Sequence, residues 1–238
     1  MWYGLAATTA TGVEADGWSK AAEVSVELLA ESWQYIMDDP GRFSTALAVH
    51  ARLSLFALVI AIALFVPLGV LVSRGGRFGS SIIGIVAAAR VVPSLAVLFL
   101  LLPVMGLGER PALVALTLLA GPPLVINTDA GLRSVEPSVL EAARGLGLNV
   151  RQVFAQVQLP LALPVIVAGV RTAAVEVIAS ATLAAFIGAG GLGQFITSGL
   201  TLLDSRLLLV GAIPITVFAL LTETGFGWLE RRLTPPSG

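Results

Sequence analysis

Cysteine is absent from the chain and histidine occurs once, at His50. Disulfides, thiolate metal sites and thiol catalysis are therefore excluded, and little scope remains for acid–base or metal chemistry. No metal site and no cofactor are expected. Charge is scarce too: 12% of residues are charged, against about 25% in an ordinary soluble domain. The net charge of −1 gives no pull towards nucleic acid. Aromatic residues are scattered and form no evident cluster. No G-x-x-x-x-G-K-[ST] phosphate loop is present, so the chain is not expected to hydrolyse ATP itself.

What is abundant is apolar surface. Hydrophobic residues make up 56% of the chain and the mean hydropathy is +0.92. A water-soluble fold could hardly cover so much of it, whereas lipid is a solvent in which helices need no cover. A span needs roughly 20 mostly apolar residues. Five segments qualify: Leu53–Val72, Ser81–Leu102, Ala112–Thr128, Leu161–Ile187 and Leu207–Phe226. The second carries Arg90 and Pro93. The third is expected to be broken by Pro122-Pro123, and the fourth holds Arg171 and Glu176. The expected fold is an all-α polytopic membrane protein.

The chain divides into residues 1–50, an external or interfacial segment; 51–230, the membrane domain; and 231–238, a cytoplasmic tail. Seven acidic residues lie before Pro40, and no basic n-region precedes an apolar core, so no cleavable signal peptide is read there. Ala21 to Met37 fits an amphipathic interfacial helix with Val24, Leu28, Trp33 and Ile36 as apolar contacts, or a disordered start followed by a short surface helix. Arg74, Arg77, Arg133, Arg144, Arg151, Arg231 and Arg232 fall on one side of the spans. Basic residues in short loops favour the cytoplasm, which sets the N-terminus outside and the C-terminus inside. No internal repeat supports an ion-coupled secondary transporter.

One polar island interrupts this pattern. Arg133 to Gln158 reads as two short helices joined by glycines. Pro137 suits a first helical turn, Ser138 with Glu141 reads as a capping box, and Asn149 with Gln152 offers a second. Gly145 and Gly147 end the first helix, and Leu159-Pro160 is expected to end the second. Glu141 and Arg144 share one face, while Ala142 and Ala143 permit close approach.

The spacing Glu141-Ala-Ala, three residues, Gly147, nine residues, Val157, one residue, then Leu159-Pro160 resembles the coupling loop of permease subunits of bacterial ATP-binding-cassette (ABC) importers. That resemblance runs from about Leu53 to Leu229 and implies the type I ABC importer permease fold. It implies three protein partners: an ABC ATPase subunit that grips Glu141–Gly147, an extracytoplasmic solute-binding protein, and a second permease subunit, identical or paralogous. Membrane lipid is the fourth partner and nucleic acid is not one. Arg90-Val-Val-Pro-Ser-Leu-Ala, Met105-Gly-Leu-Gly and Thr182-Leu-Ala-Ala-Phe-Ile-Gly-Ala-Gly-Gly-Leu-Gly look like the osmoprotectant branch, which imports glycine betaine, carnitine, choline or proline betaine. Methionine and sulfonate or nitrate permeases share the loop and are the alternative. The expected location is the bacterial plasma membrane.

Charges within spans usually face protein interior or a hydrated path. Arg90 and Glu176 are accordingly candidates for a mutual ion pair, for the lining of the translocation path, or for a contact between subunits. Asp129 and Glu223 are read as structural, snorkelling or meeting Arg133 and Arg231. His50 opens the first span as an interfacial residue. Gly188, Gly190 and Gly193 fit G-x-G-x-x-G, but the preceding apolar run is too long for a strand and Asp204 comes too early for the ribose acid. With Gly191 they are read as a tight turn at the external mouth.

Overall fold

The computed structural model describes residues 26–233, and every regular element among them is helical. Residues 26–38 form α1. Ala21 and Val24 of the expected amphipathic helix lie outside the described residues, as does the tail beyond Leu233. Leu28, Ser32, Tyr35 and Ile36 of α1 turn towards the protein, whereas Trp33 is exposed on the opposite side with Val26, Leu29 and Met37. Leu28 and Ile36 thus face inward, and Trp33 does not share their side.

Helix α2, Pro40–Ser73, starts where the Asp39 carboxylate accepts the Arg42 amide at 2.9 Å. It crosses the division expected at residue 50. Helices α3 (Gly76–Ala89) and α4 (Ser94–Met105) form a pair bent by 92°. The second expected span is therefore not one straight helix. Pro93 has no N–H to donate to Ala89, and it disfavours helical geometry at Val92. Arg90, Val91 and Val92 instead donate three residues back, to Ala87, Ala88 and Ala89.

Helix α5, Glu109–Arg133, is the central element and the most buried of the long helices. Pro122 and Pro123 lie inside it without breaking it. They withhold donors from the Leu118 and Leu119 carbonyls, but α2 and α8 (Leu159–Ala181) clamp the helix from either side. The clamp is built on small residues, as between membrane helices generally. A Cβ at Gly69 of α2 would stand 2.6 Å from Thr128, one at Gly169 of α8 2.5 Å from Asn127, and one at Gly121 of α5 2.9 Å from the Phe65 ring.

Helix α6 spans Pro137–Gly145 and α7 spans Val150–Gln152. The short α7 runs through a π-helical stretch, Val153–Gln158, straight into α8. Leu159-Pro160 therefore does not stop this helix. Widening to five-residue hydrogen bonds, with the Leu159 amide on the Phe154 carbonyl, accommodates a proline that cannot donate. A 3₁₀ turn at Leu183–Ile187, a glycine turn, α9 (Gly193–Leu202) and α10 (Ser205–Leu233) complete the order. Among the described residues four long helices are apolar enough to span, and there are five if the bent α3–α4 pair crosses as one broken span.

The two ends of the bundle are separately stitched. At one, the Gly108 amide donates to Ile187 at 2.8 Å, Arg52 pairs with Glu109, and Ser32 of α1 donates to the Arg206 carbonyl at 3.2 Å. At the other, Gln158 donates to Leu132 at 3.0 Å, and Arg74 stacks 4.5 Å over the Phe154 ring.

Candidate functional site

At this second end α6 and α7 form an exposed hairpin. Pro137 occupies the first turn of α6 as expected, but Glu136 is the N-cap and no side chain caps the helix. The Ser138–Glu141 box is not formed, because Ser138 already lies inside the first turn. The Asn149–Gln152 box is formed: the Asn149 side chain accepts the Arg151 and Gln152 amides, and Gln152 accepts the Asn149 amide at 2.9 Å. Glu141, Ala142 and Arg144 are exposed, while Ala143 is buried. Only one of the two alanines is thus on the outer face.

Leu146 and Val150 are respectively 83% and 76% exposed beside Glu141 and Arg144. Gly147 takes φ +87° with nothing near its missing side chain, so its requirement is conformational rather than steric. The hairpin offers charge, apolar contact and a stiff backbone on one projecting face. Leu159 and Pro160 stand where it passes into α8.

An open-sided cavity of about 510 Å³ lies between α2, the α3–α4 break, α5 and α8. Arg90, Val91, Val92 and Pro93 of the break line it, with Glu176 and Ser180 from α8 and Phe65 from α2. Leu118 and Leu119, whose carbonyls the prolines deprive of donors, are on its wall. Glu176 is half-buried and Arg90 is exposed at the break. Both line the same cavity, yet neither side chain holds a hydrogen bond or a direct ion pair among the described residues.

The glycine turn closes the opposite end. Gly188, Gly190 and Gly191 have φ of +76°, +84° and +82°, a run that L side chains adopt only with strain. Gly193 opens α9 so close to the preceding turn that a Cβ would stand 2.1 Å from the Thr182 carbonyl. A helical turn, not a strand, precedes these glycines, so the dinucleotide arrangement is absent.

A model of the binding-protein-dependent transport system inner membrane component family matches residues 65–235. The chain belongs to this family. A carnitine transport permease protein of Listeria monocytogenes is 42% identical over 208 residues, covering 87% of this chain and 88% of its own. A choline transport system permease protein of Bacillus subtilis is 39% identical over 202 residues, 85% of this chain and 93% of its own. Among solved structures, the inward-facing MetNI methionine ABC transporter superposes with a TM-score of 0.72 at 21% identity, over 82% of this chain and 97% of that one. That likeness speaks for the fold alone.

The permease is thus a multi-pass membrane protein, and two of its polar residues sit differently from their sequence reading. His50 is 1% exposed rather than interfacial: its Nε2 lies 3.1 Å from the Ile178 carbonyl, and Gly191 packs on its side chain. The shortened end of α8 draws the Thr182 amide to Ala179, leaving Ile178 to accept from His50. Glu223 pairs with Arg171 at 3.4 Å, not with Arg231, and Arg171 also reaches Glu230 at 2.9 Å. Asp129 meets Arg133 at 2.7 Å, as read. The Arg171 grouping was detectable only as an unexplained charge in a span, since its partners lie some fifty residues away in sequence.

Proposed function

We propose that the permease is the membrane subunit of an ATP-driven importer of quaternary-amine osmoprotectants, with glycine betaine, carnitine, choline and proline betaine as the solute class. The observation that carries this is the near full-length identity, 42% and 39%, with permeases named for carnitine and choline. In this reading a solute-binding protein delivers the solute at the glycine-turn end, Gly188 to Gly193. A separate ABC ATPase grips Glu141, Ala142, Arg144 and the Gly147 turn. A second permease subunit completes the path, which Arg90 and Glu176 line.

The arginine-rich hairpin end faces the bacterial cytoplasm under the positive-inside rule. Residues 1–50 then begin outside and 231–238 end inside. ATP hydrolysis belongs to the partner, because this chain has no phosphate-binding loop of its own.

ATP-dependent uptake of labelled glycine betaine, carnitine and choline tests the proposal, in proteoliposomes holding the permease with its co-encoded ATPase and receptor. Accumulation of at least one of them supports the reading. Failure to accumulate any quaternary amine, with the complex assembled and hydrolysing ATP, sinks it.

A further inference from the structure

The cavity beside the α3–α4 break presents an electrostatic problem that the fold leaves unsolved. Unpaired charges in a low-dielectric setting are costly, and direct pairing is the usual remedy. Here Arg90 and Glu176 line the same 510 Å³ space and form no direct ion pair with each other. The break at Pro93 fixes Arg90 on one wall, while Glu176 stands on the continuous helix α8 opposite. A cavity of this size lies in the range of about 300–1,000 Å³ typical of small-molecule sites.

We infer that this cavity is a solute site in the permease itself, built for a zwitterion: Arg90 takes the carboxylate, and Glu176 with Phe65 takes the quaternary ammonium. The inference rests on the osmoprotectant reading above. A guanidinium binds carboxylate through a planar fork of donors. A quaternary ammonium has no N–H to donate, so it needs diffuse negative potential and apolar contact. Glu176 supplies the charge, the Phe65 ring supplies cation–π attraction, and Val97 and Leu118 supply aliphatic wall. One zwitterion offers both charges a partner at once. A simple cation such as choline satisfies Glu176 and leaves Arg90 facing a like charge, so the site favours carnitine and glycine betaine over choline.

The test is equilibrium binding of labelled carnitine, glycine betaine and choline to the purified permease–ATPase complex in nanodiscs, with the receptor omitted. Wild type is expected to bind the two zwitterions more tightly than choline. Arg90→Gln should weaken the zwitterions about tenfold or more while choline changes by about twofold or less, Arg90→Lys should recover part of the loss, and Glu176→Gln should weaken all three. Equal loss of zwitterions and choline in a monodisperse Arg90→Gln complex would overturn the site. So would unchanged binding in Glu176→Gln, which also decides the matter if Arg90→Gln does not assemble. Wild type that imports carnitine with its receptor but shows no saturable receptor-free binding refutes the site and spares the importer reading. Absence of any quaternary-amine uptake by the complete system refutes that reading separately.

Discussion

Replacing Gly169 by alanine adds a single methyl group at the tightest contact between α8 and the central helix. That carbon would lie 2.5 Å from the Asn127 Cβ and 3.1 Å from the Pro123 carbonyl. Carbon atoms rest at about 3.5–4.0 Å, so the two helices must part by about 1 Å or more. Side-chain movement gives no relief. The Asn127 Cβ is fixed to the α5 backbone, and its Nδ2 is held by the Pro123 carbonyl at 2.8 Å.

Overpacking of this kind costs about 1–3 kcal/mol, and the better helix propensity of alanine returns about 0.5–1 kcal/mol. At the middle of both ranges the net loss is about 1.2 kcal/mol, which corresponds to a Tm roughly 2–5 °C lower for a chain of this size. Tryptophan fluorescence during thermal unfolding of the purified permease in detergent reads it directly. Gly225→Ala is the control, because nothing lies within 4 Å of that position on α10, and it should raise the Tm. A Gly169→Ala protein that melts at or above wild type would refute the small-residue account of how α8 seats on α5.

On the exposed hairpin, Glu141→Ala should leave the Tm within about 0.5 kcal/mol of wild type yet abolish most ATP-dependent uptake while detergent-stimulated ATPase activity persists; full uptake would show that α6 is not the grip. Gly147→Val, forced to φ +87°, should slow uptake in the same assay and accelerate hydrogen exchange at Leu148 and Asn149, and normal exchange there would count against the turn's role. His50→Leu should cost about 1–3 kcal/mol by stranding the Ile178 carbonyl, whereas a Tm equal to wild type would mean that water or a backbone shift replaces that donor. Val167→Gly combined with Ala168→Gly softens α8 at about 1 kcal/mol per glycine and should lower solute moved per ATP hydrolysed; an unchanged ratio would exclude α8 as the lever.

Legibility in the sequence followed the physics of each signal. Apolar length is a strong signal because hydrocarbon thickness is fixed, so the spans were readable and α5 and α10 were placed closely. Asn149 with Gln152 was readable because a capping box is local. Ser138 with Glu141 has the same spacing, but Pro137 already begins the helix there and the box has no place to form. Proline misled in both directions. Pro93 breaks its helix because little packs on the α3–α4 turn, while Pro122, Pro123 and Pro160 stay within theirs because neighbouring helices or π-helical bonding absorb the missing donor. His50, Arg171 and the Arg90–Glu176 cavity depend on residues brought together from distant parts of the chain. Periodicity in one sequence gives no measure of that.

The continuity of α7 with α8 decides how the hairpin and the cavity are connected. From Val150 to Ala181 the helix is 32 residues long, about 48 Å at 1.5 Å per residue. One end adjoins the exposed α6–α7 hairpin, and Glu176 stands near the other. Gly169 seats the middle on α5, and Arg171 ties it to Glu223 and Glu230 of α10. Arg90 stands at the break, and α3 and α4 pack mainly on α5, with α3 also on α2. In the proposed reading, a displacement applied at Glu141–Gly147 would reach Glu176 directly along α8 and Arg90 only through α5. The separation of the two charges is the coordinate such a movement would change, and a ligand held by both is the one it would release.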